Sequence, residues 1–381
     1  MKKSFFIILS LILIISVYLL NFLEINYLNF IYILFLNLIL IEILLRILNR
    51  FKNNNNRFKN YYATHPYLPY TLKPNTITND DRKTNFILQK ENYYFPKLKT
   101  NNLGFVDGEK GNRQNKKNKN KFLIGCLGNS TTLNYLKFKN KNYSYPLILE
   151  RILKKKYKKS FVEVNNFGVG LYNSTEILIR FIIQILDLEP NLIIIYCGHN
   201  DYKAYLTKNF NRDYSHYRKN IAEGALSFKI FNQILKFNIY LLNFILKLFF
   251  KNHYRNRLEK LITKGEINYR ASYKNNLPVF ERNLESLIGL CKNKKIKIIL
   301  SSYCFYLHPK IKKNFKYKKI KKIVNDENKI IKKLALKHKI IFVDNAKLIK
   351  ENNSFFVDEQ HFTPKGMEKL AQNMSKKIKI I

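Results

Sequence analysis

Beyond Lys121 the chain alternates short apolar runs with amphipathic stretches, and this rhythm most restricts what it can fold into. Short apolar runs separated by helical periods specify βαβ units and a parallel sheet, and the unbroken run Leu192 to Cys197 is what a strand covered on both faces requires. Strands are expected at Phe122 to Leu127, Phe161 to Asn165, Leu192 to Cys197, Ile296 to Ser301 and Ile340 to Val343. Helices are expected at Pro146 to Tyr157, Thr175 to Leu186, Val279 to Cys291, Ile323 to Leu336 and Pro364 to Lys377. In the last helix Met367, Leu370, Ala371, Met374 and Ile378 share one face.

The N-terminus has a different character. Between Lys3 and Arg46 there is no Lys or Arg, and the only charges are Glu24 and Glu42. Phe5 to Leu23 and Tyr27 to Leu45 are each about the length that crosses a ~30 Å hydrocarbon layer as a helix. Both read as transmembrane spans that would hold the protein at a lipid bilayer. A cleaved signal peptide fits the first run less well, because its apolar stretch is long and no small-residue cleavage site follows. Lys2 and Lys3 before the first run, and Arg46, Arg50, Lys52, Arg57 and Lys59 after the second, place both ends on the cytoplasmic side by the positive-inside rule. If Glu42 and Arg46 instead keep the second run in the interface, the rest of the chain lies outside.

The 69 Lys and Arg against 26 Asp and Glu give a net charge of +43, which would ordinarily point to nucleic acid or an anionic surface. Here the excess accompanies abundant Asn, Ile, Phe and Tyr with no Trp and little Gly, the bias of an AT-rich coding sequence. The charge is therefore background, and no nucleic-acid partner is expected. Four cysteines in 381 residues exclude a dense disulfide framework. The chain divides into an anchor over residues 1–50, a linker and small extension over 51–120, and a sheet domain over 121–381. A helical insertion at about 205–275 interrupts that domain. Its apolar centre, Phe228 to Phe250, could form a lid, an interfacial helix or a helical excursion packed on the core.

An open parallel sheet presents ligand sites at the carboxyl ends of its strands. Four loops there carry chemistry: Gly128-Asn129-Ser130-Thr131-Thr132, Asn166-Phe167-Gly168-Val169-Gly170-Leu171-Tyr172, Gly198-His199-Asn200-Asp201, and Asp358-Glu359-Gln360-His361-Phe362-Thr363-Pro364. Taken singly, each has a structural explanation as a cap or turn. Together they supply an acyl-transfer site: a serine, a base, a carboxylate to orient that base, and donors for an oxyanion.

The four blocks, in this order and spacing, resemble the SGNH (GDSL-type) hydrolase family over roughly residues 121–380. The resemblance implies a three-layer α/β/α flavodoxin-like fold, preceded here by an N-terminal transmembrane segment, and hydrolysis or transfer of acyl groups on esters, including acetylated sugars and lipids. By the same resemblance Ser130 matches the nucleophile, His361 the base and Asp358 its partner. The oxyanion donors would be the Ser130 N–H, Gly170 and Asn200. No cofactor is implied.

Two positions depart from the pattern. Asn129 stands where the first block usually has aspartate, and the usual spacing from Asn166 would put the second-block donor at Leu171, one residue after Gly170. The stretch from His65 to Asp107 resembles an extension that precedes this domain in some membrane-anchored members. Asp344 is a rival acid at a strand end, and His199 a neighbour of the oxyanion asparagine. His65, His216, His253, His308 and His338 lack paired spacing, so no metal is expected, and Cys126 and Cys197 fall in core strands. The expectation is a membrane-anchored serine esterase acting on an acyl ester. The alternatives are an O-acyltransferase of envelope glycans and a non-catalytic scaffold of the same fold.

Overall fold

A computed structural model describes residues 32, 35–43, 62–77, 83–84, 93–94, 99–106, 121–133, 136–138, 141–157, 161–219 and 263–380. Residues 56–224 and 258–381 form one compact unit, and residues 1–55 with 225–257 another. Of the latter, residues 35–43 are helical. Among the described residues no helix is long and apolar enough to cross a membrane. The first expected span lies outside the described residues, as do much of the second and the apolar centre of the insertion.

In the larger unit, two short strands, β1 (Tyr62–Ala63) and β2 (Thr71–Leu72), pair antiparallel. Next come β3 (Lys83–Thr84) and β4 (Tyr93–Tyr94). The main domain begins with β5 (Phe122–Gly128) and the short helix α1 (Ser130–Leu133). A hairpin of β6 (Leu136–Phe138) and β7 (Lys141–Tyr143) joins β3 and β4 in a small antiparallel sheet. Then follow α2 (Tyr145–Tyr157), β8 (Val162–Asn166), α3 (Ser174–Arg180), β9 (Leu192–Tyr196) and α4 (Asp201–Tyr205). After the insertion come α5 (Leu277–Asn293), β10 (Lys297–Ser301), α6 (Phe315–Lys337), β11 (Ile341–Val343), α7 (Asn345–Leu348) and α8 (Pro364–Ser375).

Strands β5, β8, β9, β10 and β11 form one parallel sheet in the order β11-β10-β9-β5-β8. Every residue of β9 is buried, as its unbroken apolar run requires. The first crossover runs outward from β5 to β8, and the next returns past β5 to β9. Because such crossovers are right-handed, this reversal puts α2 on one face and α3, α5 and α6 on the other. Accordingly α2 packs with α8, and α5 packs with both α3 and α6. The reversal also opens a crevice beyond the carboxyl ends of β5 and β9, where Ser130 and Asn200 follow their strands.

Two helices differ from expectation. The helix expected over 175–186 is α-helical only to Arg180, continues as a π-helical stretch over Phe181–Ile185, and ends in a 3₁₀ turn at Leu186–Leu188. Glu189 stops it in the left-handed region, and Pro190 follows. The helix expected to start at Ile323 starts at Phe315, where Asn314 caps the Lys316 N–H at 2.9 Å.

The segment before β5 is built into the domain. Val106 bridges Asn166 at the open edge of β8, and Phe105 sits edge-on to Phe167 at 4.6 Å. The turn that delivers them needs Gly104, whose φ is +75° and whose added Cβ would lie 2.3 Å from the Leu72 carbonyl oxygen.

Candidate active site

Ser130 leaves β5 through a turn that only glycine can enter. A Cβ on Gly128 would lie 2.1 Å from Thr132 Oγ1 and 2.4 Å from the Tyr196 carbonyl oxygen. Asn129 is fully buried and divides its amide between two jobs. Its Oδ1 accepts from the Thr131 N–H at 3.1 Å and the Thr131 hydroxyl at 2.8 Å, which starts α1. Its Nδ2 donates to the Gly198 carbonyl at 2.9 Å, tying the loop after β5 to the loop after β9.

The imidazole arrives from the other end of the sequence. Phe356 and Phe362 pair across a tight loop, closed by the Val357 N–H on the His361 carbonyl at 2.8 Å. Thr363 caps α8 by accepting from the Gly366 N–H at 3.1 Å, and Pro364 opens the helix. Asp358 and His361 therefore share one loop tip. Asp358 Oδ1 accepts from the backbone N–H groups of Gln360 at 2.9 Å and His361 at 2.7 Å. Its Oδ2 lies 2.7 Å from His361 Nδ1, and His361 Nε2 lies 3.0 Å from Ser130 Oγ.

With Nδ1–H donating to Asp358, the neutral ring presents a lone pair at Nε2 toward the serine hydroxyl. Burial opposes the charged imidazolium, but the charge and hydrogen bond of Asp358, with the Glu359 charge, outweigh it and raise the His361 pKa above its ordinary value. Burial likewise works against the Asp358 carboxylate. The His361 charge and the hydrogen bonds from His361 and Gln360 nevertheless hold its pKa below the usual range.

The loop after β8 lies against α1. Asn166 Nδ2 donates to the Thr132 carbonyl at 2.9 Å, and a Cβ on Gly168 would lie 2.2 Å from the Leu133 nitrogen. Val169 to Tyr172 form a turn closed by the Tyr172 N–H on the Val169 carbonyl at 3.4 Å. Leu171 occupies its left-handed position at φ +64°. Glycine would sit there freely, whereas a residue with a Cβ pays about 1–2 kcal/mol. Among the described residues the backbone N–H groups of Ser130, Gly170 and Leu171 have no acceptor.

Asn200 donates through Nδ2 to the Tyr172 carbonyl at 2.9 Å, and its Oδ1 lies 3.3 Å from His199 Nδ1. This loop too is strained, with His199 at φ +69°. The His199 N–H is held by buried Glu327 at 2.9 Å. Burial, the Lys203 charge and other neighbours push the His199 pKa down to about 3, so the ring is neutral. It lies nearly parallel to Tyr303 and Phe305, with centroid distances of 6.0 and 5.6 Å. Asp201 begins α4 beneath and accepts from the Ser174 backbone N–H and hydroxyl and from the Tyr214 hydroxyl. Burial dominates its balance and raises its pKa to about 6.

Ser130, His361 and Asp358 thus form one hydrogen-bonded chain, and Asn129 links its loop to that of Asn200. Asp344 is engaged elsewhere, accepting from the Ser302 hydroxyl at 2.8 Å. Cys126 and Cys197 are buried, and burial raises both thiols, Cys126 to about 12. No group of three His, Cys, Asp or Glu side chains is placed to hold a metal among the described residues. Sequence reasoning gave no part to Tyr70, Arg218 or Glu327, which brace these loops from distant positions. Arg218 and Glu327 stand in no motif, and Tyr70 lies in the His65 to Asp107 stretch, whose resemblance assigns it no role. The hydroxyl of Tyr70 donates to the Gly170 carbonyl, and Arg218 Nη2 donates to the Leu171 carbonyl at 2.7 Å.

Comparison with known proteins identifies the family. The model of the GDSL-like Lipase/Acylhydrolase family matches residues 126–369, more than half of the chain. No curated protein matches. Among solved structures, a GDSL-like lipase from Bacteroides thetaiotaomicron is similar at 18% identity and a TM-score of 0.39, covering 68% of this chain and 90% of its own. A lipase/acylhydrolase from Enterococcus faecalis is similar at 17% and 0.41, covering 67% and 94%. An acetylxylan esterase from Geobacillus stearothermophilus is similar at 15% and 0.42, covering 68% and 94%. The chain belongs to the GDSL-like lipase/acylhydrolase family and is an enzyme that hydrolyses ester bonds.

Proposed function

We propose that the protein is a membrane-anchored serine esterase in which Ser130 is the nucleophile, His361 the general base and Asp358 the group that orients and stabilises the imidazole. The observation that carries this reading is His361 Nε2 at 3.0 Å from Ser130 Oγ with Asp358 at 2.7 Å on the opposite ring nitrogen.

Ser130 Oγ attacks the ester carbonyl carbon while its proton passes to His361 Nε2. The imidazolium forms against the Asp358 carboxylate. Negative charge on the former carbonyl oxygen is met by the Ser130 N–H, an N–H of the Gly170–Leu171 turn and the Asn200 side-chain amide. The tetrahedral species collapses as His361 protonates the leaving alkoxide, leaving acyl-Ser130. Water, deprotonated by the same imidazole, then attacks the acyl carbon, and the acyl–Oγ bond breaks as His361 returns the proton to Ser130 Oγ and the carboxylic acid leaves.

The substrate class is an acyl ester, such as an O-acetyl group on a glycan or an ester of a lipid. The apolar runs Phe5 to Leu23 and Tyr27 to Leu45, the second with Glu42 as its only charge, support attachment to a bilayer. Ser130→Ala tests the reading. It should abolish short-chain ester hydrolysis and labelling by a fluorophosphonate probe, and wild-type protein that neither labels nor hydrolyses any acyl ester would refute it.

A further inference from the structure

We infer that Tyr70, a hundred residues before the second loop of the site, is a positioning residue for the oxyanion donor: by holding the Gly170 carbonyl it fixes the Leu171 N–H toward the oxygen of the carbonyl under attack. The inference rests on the serine-hydrolase reading above.

A trans peptide unit points its C=O and N–H in opposite directions, and no peptide in the described chain is cis. Gripping the Gly170 oxygen therefore sets the direction of the Leu171 hydrogen. The Tyr70 hydroxyl supplies that grip. Tyr70 is wholly buried, its ring lies edge-on to Tyr62 at 4.8 Å and to Tyr172 at 5.4 Å, and its own carbonyl accepts from the Tyr172 hydroxyl. The next two carbonyls are also held from outside the loop, Leu171 by Arg218 and Tyr172 by Asn200. Three successive peptide units are thus fixed by three separate parts of the chain.

The need for such a grip lies in Leu171. It stands at φ +64°, a conformation that glycine adopts freely and leucine resists. Gly170 precedes it without a Cβ, so the intervening peptide can rotate easily and relieve the strain. Rotation would carry the Leu171 N–H away from the site. The segment before the sheet domain therefore does what a glycine at position 171 would do by itself.

The experiment compares full-length wild type, Tyr70→Phe, Leu171→Gly and the double variant on a p-nitrophenyl acyl ester. Losing one oxyanion donor costs ~10²–10³ in kcat, and a misaimed one less, so Tyr70→Phe should lower kcat about tenfold or more with KM changed less than about twofold. Leu171→Gly sets its own reference kcat, and in that background Tyr70→Phe should cost under about threefold, since glycine has no strain to relieve. A crystal structure of Tyr70→Phe should show Leu171 out of the positive-φ region. The inference is overturned by a kcat within about twofold of wild type, by equal losses in both backgrounds, or by an unmoved Leu171 in that crystal structure. If wild-type turnover does not depend on Ser130, the hydrolase reading fails instead, and the crystal structure still decides whether Tyr70 holds the peptide.

Discussion

The Asn129 amide nitrogen donates to the Gly198 carbonyl at 2.9 Å, and this bond requires an amide where the family pattern has a carboxylate. An ionised Asp at this position could still accept from Thr131 but would set a negative charge against a carbonyl oxygen at a fully buried position. Asn129→Asp should therefore lower stability at neutral pH by about 1–3 kcal/mol, the cost of an unsatisfied buried polar group, and depress turnover by loosening Ser130 from Asn200. The deficit should shrink as the pH falls, because a protonated carboxyl can donate. Thermal melts of wild type and variant between pH 5 and 8 check this, and a deficit independent of pH would argue against it.

The Asp358–His361 pair makes a prediction about pH and rate. Turnover needs neutral His361, whose pKa the Asp358 carboxylate raises above the ordinary 6.5. The ascending limb of kcat/KM against pH should therefore have its midpoint above 6.5. Asp358→Asn removes the charge and the preferred tautomer. It should lower kcat by about 10⁴-fold and move that midpoint downward in the residual activity. A midpoint unmoved in the variant would mean that another group titrates.

Asp201 governs stability in the opposite sense to an ion-paired carboxylate. Its folded pKa is raised to about 6 from an ordinary 3.8, chiefly by burial. Between those values the folded state binds more protons than the unfolded one, so this group's contribution to stability falls as the pH rises through that window. Asp201→Asn keeps an acceptor for Ser174 and Tyr214 while removing the ionisation. Relative to wild type its Tm should improve steadily from pH 4 to pH 6 and level off above. A constant difference across that range would contradict the assignment.

The parts of the molecule legible in the sequence are those whose determinants lie close together. β9 is readable because Leu192 to Tyr196 is a continuous apolar run, and the Asp358–His361 contact because three residues separate the partners on one loop. The first two turns of α6 are not legible because lysines at 316, 318, 319, 321 and 322 dominate them and leave, after Phe315, only Tyr317 and Ile320 to carry the helical spacing. Tyr70 and Gly170 lie a hundred residues apart, and nothing in either neighbourhood announces the other. The same holds for Glu327, which a sequence presents as one acid on a charged helix although it is buried against the His199 N–H. Periodicity reports which face is covered and motifs report reactive groups, but the bracing between loops depends on contacts that exist only after the sheet has assembled.

Arg218 closes the base of the insertion, where it bridges Thr263, and its guanidinium also pairs with Glu176 in the first turn of α3. Burial disfavours the charged guanidinium, yet the Glu176 carboxylate more than compensates and raises its pKa. Glu176 is itself buried and accepts from the Asn173 N–H at 2.7 Å as part of a capping box. Removing only the cation leaves a carboxylate in the interior with its main counter-charge gone, so Arg218→Met should destabilise by about 3–5 kcal/mol. Adding Glu176→Gln removes the stranded charge and keeps an acceptor for the cap. The double variant should therefore be more stable than Arg218→Met alone, a non-additivity that denaturant unfolding of the four proteins would measure. If the two losses simply add, the pair is a surface contact in energetic terms, and the loop at Leu171 is held without it.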